Sequence, residues 1–557
     1  MTAEAQEVAA TSSQPLPNQE KPATLRNEIV CSVEQGDSEE APNYLSGIKL
    51  HLLTVALCLS IFLVNFEISV VSTSLVAITD GLKAFGRSSW IVTGYLIAYT
   101  TFMVVLAKLS DSFGRKTVLV TSLALFTIFS GACGAAQTMN QLIVFRAFQG
   151  LGASGVFWYY GSTLVLVVLF EMLPPEKYPV YSVLVTALFA ISMFAGPLVG
   201  GVINTNTTYR WVFLLNVPVG AFALVLLLVC IPTNFPYHGQ HSRKRSSHIR
   251  NVDMIGASLM LITLTLLITG FEEASDFSPW VSAEVLVPIL LSIPFLVMFL
   301  FYERWVTLKG DDRPEPIFPW RFCKSRVIMG IYVNAFLVGA IFVTCIIEIP
   351  LRFQVVNHES PWKAGVRLVP FSIPVPVGAG LVAALCGKRR LPPIYLLFVG
   401  STLQLLGLVF MSRMTLDEIQ WQGQYGLQTI AGLGCGLTIG VSTLLMPFVI
   451  EKRDLATSTS AVVQFRLLGG ALAVAIVTAV MNNDVRRTLL PLMSPGELAQ
   501  ILRTTEAIEE LKEPLRTIVK DAFLKGYNMQ LRILFGFAAV EIPATIFMWQ
   551  KVPVKIA

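Results

Sequence analysis

Residues 107–116 read AKLSDSFGRK, a charged stretch set between two long apolar runs. The run before it, residues 90–106, ends in polar residues as abruptly as the run after it, 117–136, begins. Gly114 is available to take a positive φ in a tight reversal, and Asp111 stands close to Arg115 and Lys116. A connection this short cannot cross a bilayer, so it joins two antiparallel membrane helices on one side. Its excess of Lys and Arg assigns that side to the cytoplasm.

The rest of the chain repeats this pattern. Of 557 residues 54% are hydrophobic and only 14% charged, with a mean hydropathy of +0.65; a soluble chain would carry about 25% charged residues. Apolar runs of bilayer-spanning length recur at 50–74, 90–109, 117–136, 141–165, 181–203, 211–231, 252–271 and 285–302. They continue at 327–349, 365–386, 394–411, 427–450, 456–480 and 531–549. The expectation is an all-α integral membrane protein of about fourteen spans. Membrane topology accounts for the net charge of +5, so no nucleic-acid partner is implied. Six of the eight cysteines (Cys58, Cys133, Cys230, Cys345, Cys386, Cys435) lie inside apolar runs and none forms a CxxC. They read as small buried residues, with no metal or cofactor expected.

Residues 1–49 are polar and acidic and hold no signal-peptide core, which predicts a disordered cytoplasmic tail. With that tail inside, the basic stretches 242–250, 304–326, 387–390 and 451–454 all fall in the cytoplasm. The outer loop 272–280 has no Lys or Arg. Asn206, followed by Thr207-Thr208 on the outer side, is a candidate glycan acceptor. Short basic loops follow the second span of both the first six and the last six spans. This suggests two six-helix halves, 50–231 and 327–557, joined by a basic loop and two-helix insert at 232–302 and a cytoplasmic linker at 303–326. The long outer loop 482–530 has a capping-box pair, Ser494 and Glu497. An apolar stripe follows (Leu511, Leu515, Ile518, Val519, Ala522, Phe523), predicting an amphipathic helix on the outer surface.

Four motifs in order resemble the major facilitator superfamily, and specifically the fourteen-span drug:proton antiporters of fungi. AKLSDSFGRK is similar to the signature loop after the second span, with Ala107 where Gly is usual. LIVFRAFQGLGASG (142–155) resembles the fourth-span motif, SMFAGPLVGG (192–201) the antiporter motif of the fifth, and YRWVFLLNVPVG (209–220) the segment opening the sixth. The resemblance implies a gating role for Asp111, Gly114, Arg115 and Lys116 at the cytoplasmic face. An ion pair there must break when the halves rock apart. It also reads Gly196, Pro197, Gly200 and Gly201 as a mark of export. Pro197 removes a helix hydrogen bond and the glycines admit a neighbouring backbone.

Charges inside spans are expensive and therefore informative. Glu67 lies about 26 Å along the first span and Arg146 about 7 Å into the fourth from the outside. These depths nearly agree across a core of about 30 Å. A carboxyl balanced between desolvation and a guanidinium can load and release a proton, so this pair is the proton-coupling candidate, where the family usually has Asp for Glu67. A structural ion pair is the competing reading. Arg466 near the inner end of its span is explained equally by headgroup snorkelling. Glu541, mid-span beside Pro543, is a second protonation candidate, and Glu348 is expected to be solvated near the outer interface.

For substrate, Phe157, Trp158, Tyr159 and Tyr160 follow the fourth-span motif and Phe189 and Phe194 flank the fifth; such rings suit flat hydrophobic molecules. The leading expectation is a monomeric proton-coupled antiporter exporting small hydrophobic molecules (toxins, secondary metabolites or drugs) across the plasma or vacuolar membrane. The alternative is a proton-coupled uptake symporter for a siderophore or nutrient on the same fold. No HxxxxD, GxSxG or HExxH stands out and no nucleotide-binding P-loop is present, so an enzyme or a nucleotide-driven pump is disfavoured.

Overall fold

The computed structural model describes residues 48–156, 178–231, 253–275, 280–309, 316–388, 390–415, 422–450, 455–501, 506–509 and 511–550. The N-terminal half comprises α1 (Ile48–Ser72), α2 (Leu75–Leu82), α3 (Ser88–Phe113), α4 (Arg115–Ala135), α5 (Met139–Val156), α6 (Tyr178–Asn206), α7 (Arg210–Leu214) and α8 (Asn216–Cys230). The insert is α9 (Met254–Ser275) and α10 (Ala283–Leu308). The C-terminal half opens with α11 (Arg326–Val355), α12 (Pro361–Ser372), α13 (Pro374–Lys388), α14 (Pro393–Met411) and α15 (Gly423–Val449). It ends with α16 (Leu455–Leu489), α17 (Pro495–Ile501), α18 (Glu506–Glu509) and α19 (Leu515–Phe547).

Eleven helical segments among the described residues are long and apolar enough to cross a bilayer. α3, α5 and α6 occupy the places of the second, fourth and fifth expected spans, so each of the fourteen expected segments contains a helix. Two places are filled by helix pairs, α7–α8 and α12–α13. Burial separates the centre from the rim. The most apolar windows of α11, α1 and α16 are 89%, 72% and 72% buried, which places these helices inside the bundle; that of α10 is only 17% buried. α10 presents Val287, Leu290, Ile293 and Phe301 outward, as a helix on a lipid-facing rim does.

The signature stretch is tighter than a loop. α3 runs on through Phe113, so Asp111 sits in its last turn, and α4 starts at Arg115. One residue makes the reversal: Gly114 at φ 95° and ψ 140°, a backbone conformation that a Cβ would strain. The corresponding turn of the other half contains Arg390 at φ 52°.

In the outer segment 482–530, residues 482–489 and 515–530 are helix continuous with the spans. α16 extends to Leu489 and α19 begins at Leu515, at 35 and 33 residues, which leaves residues 490–514 between them. At 1.5 Å per residue each is about 50 Å long, well beyond a bilayer core of about 30 Å. Part of the apolar stripe is therefore packed inside the protein, while Ile518 stays exposed. Val519, Ala522 and Phe523 are buried, and the Phe523 ring packs against Phe85 of the other half with centroids 6.4 Å apart. Polar residues in this region punctuate the sequence without breaking a helix that has already left the membrane. The capping box forms as expected: Ser494 N–H donates to Glu497 Oε2 at 2.8 Å, and Glu497 N–H donates to Ser494 Oγ at 3.3 Å.

At the end of the bundle opposite Gly114 the halves are in contact. Gln354 Nε2 donates to the Thr73 carbonyl at 3.2 Å, and Asn482 Nδ2 to the Gly86 carbonyl at 3.3 Å. Nearer the middle, Gln464 Nε2 donates to the Thr100 carbonyl at 3.0 Å. The insert docks on the N-terminal half through Glu272. That residue, expected in an outer loop, is buried in the last turn of α9 and accepts from Ser89 Oγ at 2.5 Å and Thr93 Oγ1 at 3.0 Å.

Candidate functional site

Glu67, on α1, is fully buried, and so is Arg146 on α5. The two form an ion pair between Arg146 Nη1 and Glu67 Oε1, so the depth match in the sequence corresponds to a contact. The other carboxylate oxygen, Oε2, accepts from Asn216 Nδ2 of α8 at 2.5 Å. Arg146 is held on every side. Its Nε donates to the Ile91 carbonyl at 2.9 Å and its Nη1 also reaches Gln149 Oε1 at 2.8 Å. Its guanidinium lies 4.4 Å from the Tyr95 ring centroid and 5.8 Å from that of Phe213. Gln149 Nε2 in turn donates to Ser130 Oγ at 2.8 Å. Six helices thus converge on one ion pair, a desolvated carboxylate matched by a guanidinium; removing either partner would leave a bare buried charge.

Asn216, Gln149, Tyr95 and Ser130 are members of this centre that the sequence reading does not single out. Two carried a signal: Gln149 lies three residues after Arg146 and so shares its helix face, and Asn216 is the polar interruption of an otherwise apolar span. Tyr95 and Ser130, one ring and one hydroxyl among many, gave none.

The centre has a link to the other half. The Tyr95 ring is 5.7 Å from the Tyr99 ring, and Arg466 of α16 faces Tyr99. Arg466 is about 16 Å along α16 from its first residue.

In the signature stretch, Lys116 Nζ donates to the carbonyls of Leu228 and Ile231 at 3.0 and 2.5 Å, capping the last turn of α8 where a helix presents free carbonyls and negative potential. The side chain of Asp111 lies outside the described residues, and Arg115 is half-buried.

The fifth-span glycines make close approaches on two sides. Gly196 lies against Ser69 and the backbone nitrogen of Val70, and Gly200 against the Val70 carbonyl and Thr73, all on α1. Ser69 Oγ donates to the Ser192 carbonyl at 3.0 Å and Thr73 Oγ1 to the Pro197 carbonyl at 3.2 Å. Gly201 points the other way, against Pro361 and Trp362 of the C-terminal half, and Gly365 of α12 lies against the Pro197 carbonyl. This motif therefore sits where the two halves meet.

Phe157, Trp158, Tyr159 and Tyr160 lie outside the described residues, as does the side chain of Phe189, and Phe194 is 38% exposed. Asn206 is exposed at the end of α6. In the C-terminal half Glu541 is buried and accepts from Gln404 Nε2 at 3.0 Å. Glu348 is not solvated as expected; it is buried on α11, because that helix runs through the middle of its half.

Two six-helix halves meeting at one end, with an ion pair buried inside one of them, define a polytopic membrane carrier. The sequence profile of the Major Facilitator Superfamily matches residues 57–474, and the chain belongs to that family. It is a multi-pass transporter and not an enzyme. It is 37% identical to MFS-type transporter FPY5 of Fusarium mangiferae over 534 residues, covering 95% of this chain and 88% of the relative. It is 27% identical to efflux pump FUS6 of Gibberella fujikuroi over 518 residues, covering 90% and 89%. Among solved structures, a bacterial homologue of the human lysosomal transporter Spinster, inward-facing and unoccupied, superposes with a TM-score of 0.63 at 15% identity. That match covers 91% of this chain and all of the other.

Proposed function

We propose that this transporter is a proton-coupled efflux antiporter that exports small hydrophobic organic molecules from the cytoplasm across the plasma membrane. The observation that carries the reading is the buried Glu67 carboxylate held between Arg146 and Asn216. In the ionised state both oxygens are satisfied. A proton arriving from outside neutralises Glu67 and loosens its hold on Arg146, whose guanidinium keeps the Ile91 carbonyl, Gln149 and the Tyr95 face as partners. Asn216 suits both states. Its Nδ2 donates to the carboxylate now, and its Oδ1, without a partner among the described residues, can accept from the protonated acid after the amide turns. The ion pair is thus a two-state element that a proton can bias, as alternating access requires. Several relatives carry the name efflux pump, which favours export over uptake. The signature end faces the cytoplasm by its basic residues.

The test is transport of a fluorescent hydrophobic probe such as ethidium in proteoliposomes with an imposed pH gradient. Wild type should move the probe against the proton flow, Glu67→Gln should lose gradient-driven transport, and Glu67→Asp should keep part of it. A normal rate in Glu67→Gln would remove the coupling site from α1.

A further inference from the structure

The first helices of the two halves, α1 and α11, each bury one glutamate, and in both halves that glutamate faces a polar residue of the sixth span. In the N-terminal half these are Glu67 and Asn216 of α8. In the C-terminal half they are Glu348 and Gln530 of α19. The halves then diverge. Arg146 of the fourth span neutralises Glu67, whereas the fourth span of the second half, α15, brings amides here. Gln424 accepts from Arg352 Nη2 at 3.3 Å, and Gln428 is buried beyond it.

Glu348, Arg352, Tyr527 and Gln530 line a cavity of about 20 Å³, together with Cys345, Ile349, Met411, Leu531 and Leu534. Glu348 Oε2, Arg352 Nε, the Tyr527 hydroxyl and both amide atoms of Gln530 are buried with no hydrogen-bond partner among the described residues. Glu348 and Arg352 stand one helical turn apart on α11 without an ion pair. Such a group of unsatisfied donors and acceptors is costly unless something occupies the space between them. A volume of this size admits one water, which needs about 2–4 polar partners, and both donors and acceptors are present.

We infer that Glu348 is a second proton-carrying carboxyl of the transporter, exchanging its proton through one water held by Arg352, Tyr527 and Gln530. This rests on the antiport reading and extends it to two proton sites, one in each half. The step balances simply: a hydronium reaching the cavity gives its proton to Glu348 Oε2 and remains as water, and the reverse occurs on release. The titratable groups facing Glu348 are Arg352 and Cys345 of its own helix and Tyr527 of α19. α16 turns Thr478 to it, α15 adds Cys435 beside Cys345, and Arg367 of α12 is engaged with Glu359 and the Phe353 ring. Position gives the site a mechanical consequence. Pro350 lies between Glu348 and Arg352 and removes one helix hydrogen bond at that point, and two residues past Arg352 Gln354 holds Thr73 of the other half. Protonation at Glu348 therefore acts on the helix end that closes against α1.

The test is infrared difference spectroscopy of the full-length protein in lipid nanodiscs between acid and alkaline buffer, which reads protonated carboxyls without needing a substrate. Wild type should show a titrating carboxyl band, of which Glu348→Gln loses a component that Glu67→Gln retains. An unchanged band in Glu348→Gln overturns the inference. Tyr527→Phe keeps the shape of the cavity and removes one hydroxyl; it should shift the frequency and midpoint of that same component, and an unshifted component likewise overturns the inference. Where wild type shows no pH-driven ethidium transport, the antiport reading fails, and the infrared result still decides whether Glu348 titrates.

Discussion

At the residue scale the site was half legible. Glu67 and Arg146 announced themselves because ionised groups in apolar runs are rare and must be paired, so two of them at one depth predict one contact. Glu348 misled for the complementary reason. Depth along a helix can be read from spacing, whereas the side of the helix turned to the core depends on neighbours the sequence does not order. Asn216 is the decisive addition. Asn216→Leu leaves Glu67 Oε2 without its donor, at a cost of about 1–3 kcal/mol, and should lower thermal stability and change the pH dependence of probe transport together. Asn216→Gln should restore part of both; a normal pH profile in Asn216→Leu would exclude Asn216 from the coupling centre. Outside the membrane, the bonds from Ser494 hold the Glu497 carboxyl below its usual range. A depressed group stabilises above its unfolded pKa and loses that contribution as pH falls through the folded value. Amide exchange at the start of α17 should therefore rise on acidification, and Glu497→Gln should flatten that dependence.

Among the elements, the spans were legible because apolar length is a strong signal, and each expected segment contains a helix. The segment 482–530 shows where the signal ends. Charge there marks the exit from the bilayer, yet α16 and α19 continue as helix and bury Val519, Ala522 and Phe523, the last against Phe85, while Ile518 stays exposed. The fifth-span motif was legible as close packing but not in its division of labour: Gly196 and Gly200 face α1, while Gly201 and the Pro197 carbonyl face α12. This division predicts two different mutant behaviours. In Gly200→Val the side chain meets the Val70 carbonyl, 2.7 Å from the first added carbon. Overpacking of this kind costs about 1–3 kcal/mol or more, so the variant should lose thermal stability and yield of folded protein. Gly365→Val strikes the Pro197 carbonyl across the boundary between halves. It should insert and fold but hold that end apart. Spin labels on Asn206 and Trp362 should report a longer distance than in the Gly365 protein, and an unchanged distance would remove α6 and α12 from the closure.

For the whole molecule, the repeat of a short basic turn in each half gave the two-half plan, while the way the halves touch came only from the structure. Their described contacts at the end opposite Gly114 include hydrogen bonds and rings, Gln354 with Thr73, Asn482 with Gly86 and Phe523 with Phe85, beside the close approaches of Gly201 to Trp362 and of Gly365 to the Pro197 carbonyl. The two hydrogen bonds hold a state without making it permanent, since each surrenders only roughly 0.5–1.5 kcal/mol when it opens. The halves should accordingly part at this end in each transport cycle. Replacing Gly86 and Asn482 with cysteine, in a background freed of the native thiols, places a thiol on each half within reach of the other. Oxidation should form the bridge, stop ethidium transport in proteoliposomes, and leave thermal stability equal or higher; a reductant should return transport to the rate of the unbridged protein. The same bridge placed in Glu67→Gln should form at least as readily, because no proton is needed for this end to be shut. Quantitative bridging with transport undiminished would mean that the halves do not separate here, and the alternating-access mechanism would have to be built on motion elsewhere in the bundle.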